Sequence, residues 1–431
     1  MKKLSFNEAR HLVSRTGIGS EWDTIQRFQN LTRQQAINHL LKSRDNNLPR
    51  PPGMSPWSRT VGLMNNMRRK KMVKRISRVE GKKLQDWWVK HLINTRSPFL
   101  ERMTLFWHNH FPSSIQKTQQ VDMLHKQNLL LRKHALGNFG TMLHAIAKDP
   151  AMLVYLDGYV STKEEPNENF SRELLELFTL GIGNYNENDM REAARAFTGW
   201  GVDDRSGRFL NRANNHDNGT KTFLGKRGNY KGEDIINILL KHPRTAETIA
   251  TKMWHEFISI SKPKQGVIKQ WAQIFRRANY DIPTLLNAVL NSPDFWAKPN
   301  RGALIKTPIE LTIGTLRSLP YSSTHTDLAH NLNIMGQGVF AHPSVKGWDG
   351  GTSWISTQSL LRRNSMMNNL TKGNLNERKN RGGVAQKIPD LKPAQMQAWL
   401  LAIPPLQAAP QKPGKQRLAR ALVLDPSYQV N

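Results

Sequence analysis

The stretch NENFSRELLELFTLGIGNYNENDMREAARAFTGW, residues 167–200, aligns with itself at an offset of 19. Asn167-Glu168-Asn169 returns as Asn186-Glu187-Asn188, Arg172-Glu173 as Arg191-Glu192, and Phe178-Thr179 as Phe197-Thr198, so seven of thirteen aligned positions are identical. Each copy opens with an Asn suited to an N-cap, and Gly181 or Gly199 follows as a stop. The stretch therefore reads as two successive helices joined by a short loop over 182–185. With Glu168 at zero and about 100° per residue, Arg172 falls near 40°, Glu176 near 80° and Glu173 near 140°, while Leu174, Leu175, Leu177 and Phe178 fill the other half. Glu187, Arg191, Arg195 and Glu192 repeat this placement, so in both copies the charges share one face.

The same helical spacing recurs on both sides of the repeat, as in Ala36-Ile37-His39-Leu40-Leu41, Trp88-Val89-Leu92-Ile93 and Ile235-Ile236-Leu239-Leu240. The fold class expected is mainly α: a multi-helix, bundle-like body. Strand-like pieces cluster between 207 and 225, where Arg208-Phe209-Leu210 and residues 220–224 flank an Asn/Asp/Gly-rich turn. They predict one small β-hairpin insert at about 205–225. A Pro- and Asn-rich linker over 43–57 separates an N-terminal helical hairpin (1–45) from the main body (58–365). Residues 366–431 read as a loosely ordered Pro/Lys-rich segment, broken at 372–393, that regains helical spacing near its end.

Composition narrows the class. A chain of 431 residues with 38% hydrophobic content, 12 Trp and 15 Phe has enough apolar mass for a core, which excludes disorder, and no apolar run nears the length of a membrane span. The absence of Cys excludes disulfides, thiolate metal sites and a Cys nucleophile. Lys plus Arg number 63 against 33 Asp plus Glu, a net charge of +30 that attracts polyanions. After Met1-Lys2-Lys3, the residues Glu8, Arg10 and His11 interrupt the place of a signal-peptide core. The expectation is cytoplasmic residence by default, or export by a route the chain does not encode.

Charge is segregated. Ten bases between Arg59 and Lys83, among them Arg68, Arg69, Lys70 and Lys71, face Glu80 alone. Between Asp157 and Glu192 the sign reverses, with nine acids against three bases. Two readings of this acidic island compete. In one, the repeated helices are amphipathic, with i,i+4 Glu–Arg pairs on a solvated side. In the other, the two charged faces meet across a cleft. Glu168, Glu173, Glu187 and Glu192 then serve as acid/base groups or cation ligands, and Arg172, Arg191 and Arg195 orient them. A divalent metal is the cofactor candidate, with Glu173, Glu192 and Asp217 as its ligands. Neither copy carries Glu-x-x-His, so a ferritin-type di-iron site is not indicated.

Three other segments carry chemistry-bearing residues. In Phe106-Trp107-His108-Asn109-His110-Phe111-Pro112, histidines two apart on a helix diverge by about 200° and cannot chelate one ion. They form a ligand pair only if Pro112 releases the last turn, and otherwise supply packing or one catalytic His. His216-Asp217 sits on the turn of the expected insert; turn chemistry competes with a general-base His216 beside the acidic island. The Gly-rich run 346–354 carries Trp348 and Trp354, which either anchor the loop or stack on a sugar or base.

Taken together, these segments resemble the large bacterial family catalogued as domain of unknown function 1800. The matching pieces include Arg10-His11-Leu12, Arg15-Thr16-Gly17, Glu101-Arg102-Met103 through Phe111, and Arg132-Lys133-His134. They continue in order through Asp149-Pro150-Ala151-Met152, Tyr155-Leu156-Asp157, the duplicated helices, His216-Asp217 and Val345-Lys346-Gly347-Trp348-Asp349-Gly350-Gly351. The resemblance spans nearly the whole chain. It implies an exported sulfatase-like partner protein and periplasmic co-export, and no mechanism. The short N-terminus and the basic excess of 59–83 depart from many members.

Two functions follow as expectations. The first is an enzyme of hydrolysis or group transfer on an anionic or carbohydrate polymer, with its site on the repeated helices, His108, His110 and His216 in second rank, and Trp348 and Trp354 on substrate. The second is a non-enzymatic basic scaffold that binds a polyanion, such as an acidic polysaccharide, or a protein partner through Arg68–Lys83. Nucleic acid fits that cluster less well, because no aromatics interleave it.

Overall fold

In the computed structural model the described residues are 2–44, 48–56, 67–319, 321, 327–376, 388–407 and 414–431. The first half runs α1 (Phe6–Thr16), α2 (Trp22–Gln29), α3 (Arg33–Leu41), α4 (Met67–Asn94), α5 (Pro98–His110), α6 (Ile115–Thr118), α7 (Val121–His134), α8 (Phe139–Ala147), α9 (Pro150–Tyr155), α10 (Glu168–Glu173) and α11 (Glu187–Phe197). Four short strands follow: β1 (Trp200–Val202), β2 (Phe209–Asn211), β3 (Lys221–Phe223) and β4 (Lys226–Gly228). The second half is again helical: α12 (Gly232–Lys241), α13 (Pro243–Phe257), α14 (Gln265–Arg277), α15 (Ile282–Asn291), α16 (Pro293–Trp296), α17 (Pro308–Ser318), α18 (Leu328–Ile334), α19 (Thr357–Asn376), α20 (Pro393–Leu400) and α21 (Lys415–Leu424). The fold is mainly α, and no helix among the described residues is long and apolar enough to cross a membrane.

Local sequence explains where helices begin. Ser5 with Glu8 and Thr307 with Glu310 form capping boxes, Pro98, Pro150, Pro243 and Pro308 stand in first turns, and Asn167 and Asn186 cap both copies of the repeat. Gly181 and Gly199 have φ near +82° and +84°, a backbone region that glycine enters without steric cost. The first copy then departs from the second: after α10 the backbone widens into a π-helical turn, Leu174–Thr179, in which Leu180 N donates to Leu175 O.

The small antiparallel β insert expected at about 205–225 is present, with a different strand pairing. β2 pairs antiparallel with β1, and β3 with β4, so the two runs read as partners belong to separate two-stranded sheets. Each has a nearer partner across a tight turn: Asp203 and Arg208 close one, and Leu224-Gly225, both at positive φ, close the other. The N-terminal hairpin is likewise three helices, and Leu48 and Met54 of the expected linker pack on the core. Of the expected break at 372–393, residues 377–387 lie outside the described residues, while α21 supplies the terminal helix.

The core centres on α5, whose length is buried nearly all round. Trp107 stacks toward Phe111 and Phe139, and Phe111 meets Phe178 of the π-helical turn edge-on. One carboxylate lies within this apolar mass. Glu101 is fully covered, accepts from Arg132 at 2.7 and 2.9 Å and from Trp88 Nε1 at 2.8 Å, and faces His91. A buried charge is tolerated only when paired and hydrogen-bonded in this way.

Candidate functional site

The repeated helices pack on one another through Phe170, Ser171 and Met190, with Ser171 Oγ donating to Met190 O. Their outer charges pair within each helix: Arg172 with Glu168 at 3.6 Å and Arg191 with Glu187 at 3.2 Å, all four side chains at least 39% exposed. Among the described residues no ion pair crosses from one helix to the other. Glu192 and Arg195 instead hold the β segment: Arg195 grips Asp217 at 2.7 Å, Glu192 at 2.9 Å and Thr220 O, and Glu192 accepts from Thr222 N at 2.6 Å. His216 is buried, and its Nδ1 lies 2.9 Å from Thr198 O. The loop thus folds onto the second helix as a clasp, and Asp217 meets a guanidinium where a cation was expected. Glu173 is covered; burial and then Glu176 raise its pKa, while Arg172, Lys346 and Lys117 oppose the rise. Among the described residues no three His, Asp or Glu side chains are grouped to hold a metal.

The two histidines of α5 part as their spacing requires. His108 accepts from Phe340 N and packs against His342 and Trp88, whereas His110 turns to α13. Both stay helical to the end of α5, so the extended ligand pair is not formed.

A cavity of about 650 Å³ opens where α5, α13, the start of α17 and the 346–354 loop converge. That size lies in the range of small-molecule sites. Its wall includes His110, Trp348 and Trp354 from the expected set, together with Arg102, Lys252, Glu256, Glu310 and Lys346. Lys252 Nζ donates to His110 Nδ1 at 2.7 Å and to Leu177 O at 3.0 Å. The π-helical turn makes the second bond available. In a regular α-helix Leu177 O would accept from Gly181 N, but that amide donates to Leu175 O instead. Burial holds the lysine down to about 8. Burial, and then the neighbouring Lys252, hold His110 well below the usual imidazole range. At neutral pH the imidazole is therefore an acceptor at Nδ1, the tautomer being assigned from the donor it meets.

One turn further along α13, Arg102 bridges two carboxylates, Glu256 at 2.9 Å and Glu310 at 2.5 Å. Burial dominates at Glu256 and raises its carboxyl. At Glu310 burial pushes the same way, but Arg102 and the capping amide of Thr307 prevail and lower it. Two carboxyls on one guanidinium thus carry opposite shifts, the pattern of an acid and base pair. Arg15, fully buried, donates to Phe257 O and Ile258 O and so fixes the end of α13 that carries Glu256.

The Gly-rich loop is fastened to α5 by Asn109, whose Oδ1 accepts from Trp348 N at 2.6 Å and whose Nδ2 donates to Trp348 O at 3.3 Å. Trp348 also packs on His342. Both tryptophans are more than nine-tenths covered, so they anchor the loop and line the cavity. Lys70 and Lys71 stand exposed on α4, and the side chains of Arg68 and Arg69 lie outside the described residues. Sequence reading missed Lys252 and Glu256. Four apart on a helix, they resemble an ordinary solvated pair, and the only local hint is their setting among buried Ile249, Met253, Trp254 and Phe257.

A family model described as protein of unknown function (DUF1800) matches residues 11–430. No curated protein and no solved structure matches the chain.

Proposed function

We propose, for a chain that belongs to the DUF1800 family, that it is an enzyme of hydrolysis or group transfer whose reaction takes place in the cavity beside His110. The observation that carries this reading is the Lys252–His110 contact at 2.7 Å in a concave wall. A desolvated lysine titrating near 8 is partly neutral at ordinary pH and serves as base or nucleophile. Glu256, its carboxyl raised by burial, is the complementary proton donor. Arg102 is taken up by Glu256 and Glu310, so Lys252 and Lys346 are the wall cations that favour an anionic substrate or an acidic unit of a carbohydrate polymer, with Asp349 on the same wall.

The test is a turnover screen of the full chain on carboxylic esters, phosphate esters, glycosides and acidic polysaccharides. The activity found should fall by about a hundredfold or more in Lys252→Met and survive in Glu168→Gln with Arg191→Gln. Loss in the second pair with full turnover in the first would put the chemistry on the repeated helices instead.

One observation favours a second reading, a basic scaffold for a polyanion or exported partner: Lys70, Lys71, Lys74, Arg75 and Arg78 all stand exposed on one helix. On that reading affinity falls steeply with salt and no turnover is found.

A further inference from the structure

From Lys70 to Lys83, α4 leaves Lys70, Lys71, Lys74, Arg75, Arg78, Lys82 and Lys83 exposed, Lys70 and Lys74 on the flank near the body and the others on its outer side. Its inner side is Val73, Ser77, Gly81 and Leu84, all buried, and a Cβ at Gly81 would strike Ile115. With Lys71 at zero and about 100° per residue, the buried residues lie near 200° to 280°. The line farthest from the body therefore runs near 60°. Along it lie Lys82 near 20°, Arg75 near 40°, Val79 near 80° and Met72 near 100°, with Lys83 near 120°. Met72 and Val79 are each 52% exposed, and Met67 at the helix start 77%. Three acids fall in the region and all are engaged: Asp86 and Asp327 both pair with Lys82, and Glu80 accepts from Ser55.

A solvated charged face has no use for two uncovered apolar side chains on its outermost line. A nucleic acid would gain nothing from them either, because stacking on bases needs aromatic rings. An anionic bilayer uses both features at once: methionine and valine enter the headgroup boundary while flanking Lys and Arg meet lipid phosphates. We infer that the N-terminal half of α4 is a peripheral docking surface for an anionic lipid bilayer, its occupant chosen by charge complementarity and by the apolar line between the cations. This site is independent of the cavity and of any reaction there.

The experiment is co-sedimentation of the full chain with phosphatidylcholine vesicles, with and without phosphatidylglycerol, alongside heparin and duplex DNA as competing polyanions. The chain should bind the phosphatidylglycerol vesicles, leave the neutral ones and release as salt rises. Replacing Lys71, Lys74, Arg75 and Arg78 with Gln should weaken vesicle binding by roughly tenfold or more. Met72→Ser with Val79→Ser should weaken vesicle binding several-fold and leave heparin binding unchanged. Since all six positions are exposed, circular dichroism should match the parent chain. Failure to bind phosphatidylglycerol vesicles overturns the assignment. So does vesicle binding untouched by the Met72 and Val79 changes, which would mark a plain polyanion surface, or binding to DNA in preference to vesicles.

Discussion

Lys252 Nζ and His110 Nδ1 lie 2.7 Å apart although 142 residues separate them in the chain. The same ammonium takes the Leu177 carbonyl released by the π-helical turn, so three elements meet at one nitrogen. The burial that makes this contact strong also makes the charged lysine costly, and its titration should be readable in stability.

Lys252 titrates near 8 in the fold and near 10.5 when unfolded. Between those values the unfolded chain holds the additional proton, so the stability due to this residue rises with pH across the window and is flat below it. Lys252→Met removes that slope. Urea midpoints of parent and variant at several pH values from about 8 to 10.5 check it, and a constant difference between the two would contradict the assignment.

Glu101 is likewise held below its unfolded value, here by pairing rather than by burial. Burial works to raise its carboxyl, but Arg132 and then His91 overcome it and hold it at about 2. Its contribution is present above the usual value of 4.5 and is lost as pH falls toward about 2. Glu101→Gln leaves Arg132 buried without its counter-charge and should cost about 3–5 kcal/mol, measured by denaturant unfolding at neutral pH.

Gly347 has φ near +81°, and a Cβ there would press on the carbonyl and side chain of Asn109. Gly347→Ala should cost about 1–3 kcal/mol and loosen the loop that carries Trp348. A lowered melting temperature with red-shifted tryptophan emission is the expected result.

Arg195→Ala frees Asp217, Glu192 and the carbonyl of Thr220 together. It should cost about 1–2 kcal/mol and speed amide exchange over residues 217–223. Glu187→Gln, on an exposed pair of the neighbouring turn, should change stability by less than about 0.5 kcal/mol. Equal effects of the two changes would contradict the clasp.

Periodicity and end signals along the chain were sufficient for the helices, the caps at Asn167 and Asn186, the stops at Gly181 and Gly199, and the divergence of His108 from His110. Each depends only on residues within a turn or two, where backbone geometry dictates which side chains share a face. Packing decided the rest. The outer charges of the repeat have partners one turn away and need no cleft, so a local ion pair satisfied them. Lys252, Glu256 and Arg102 become a cluster only because α13 lies against α5 with its end pinned by Arg15. Nothing local marks that contact, because the energy of bringing buried charges together depends on which distant surfaces exclude water around them.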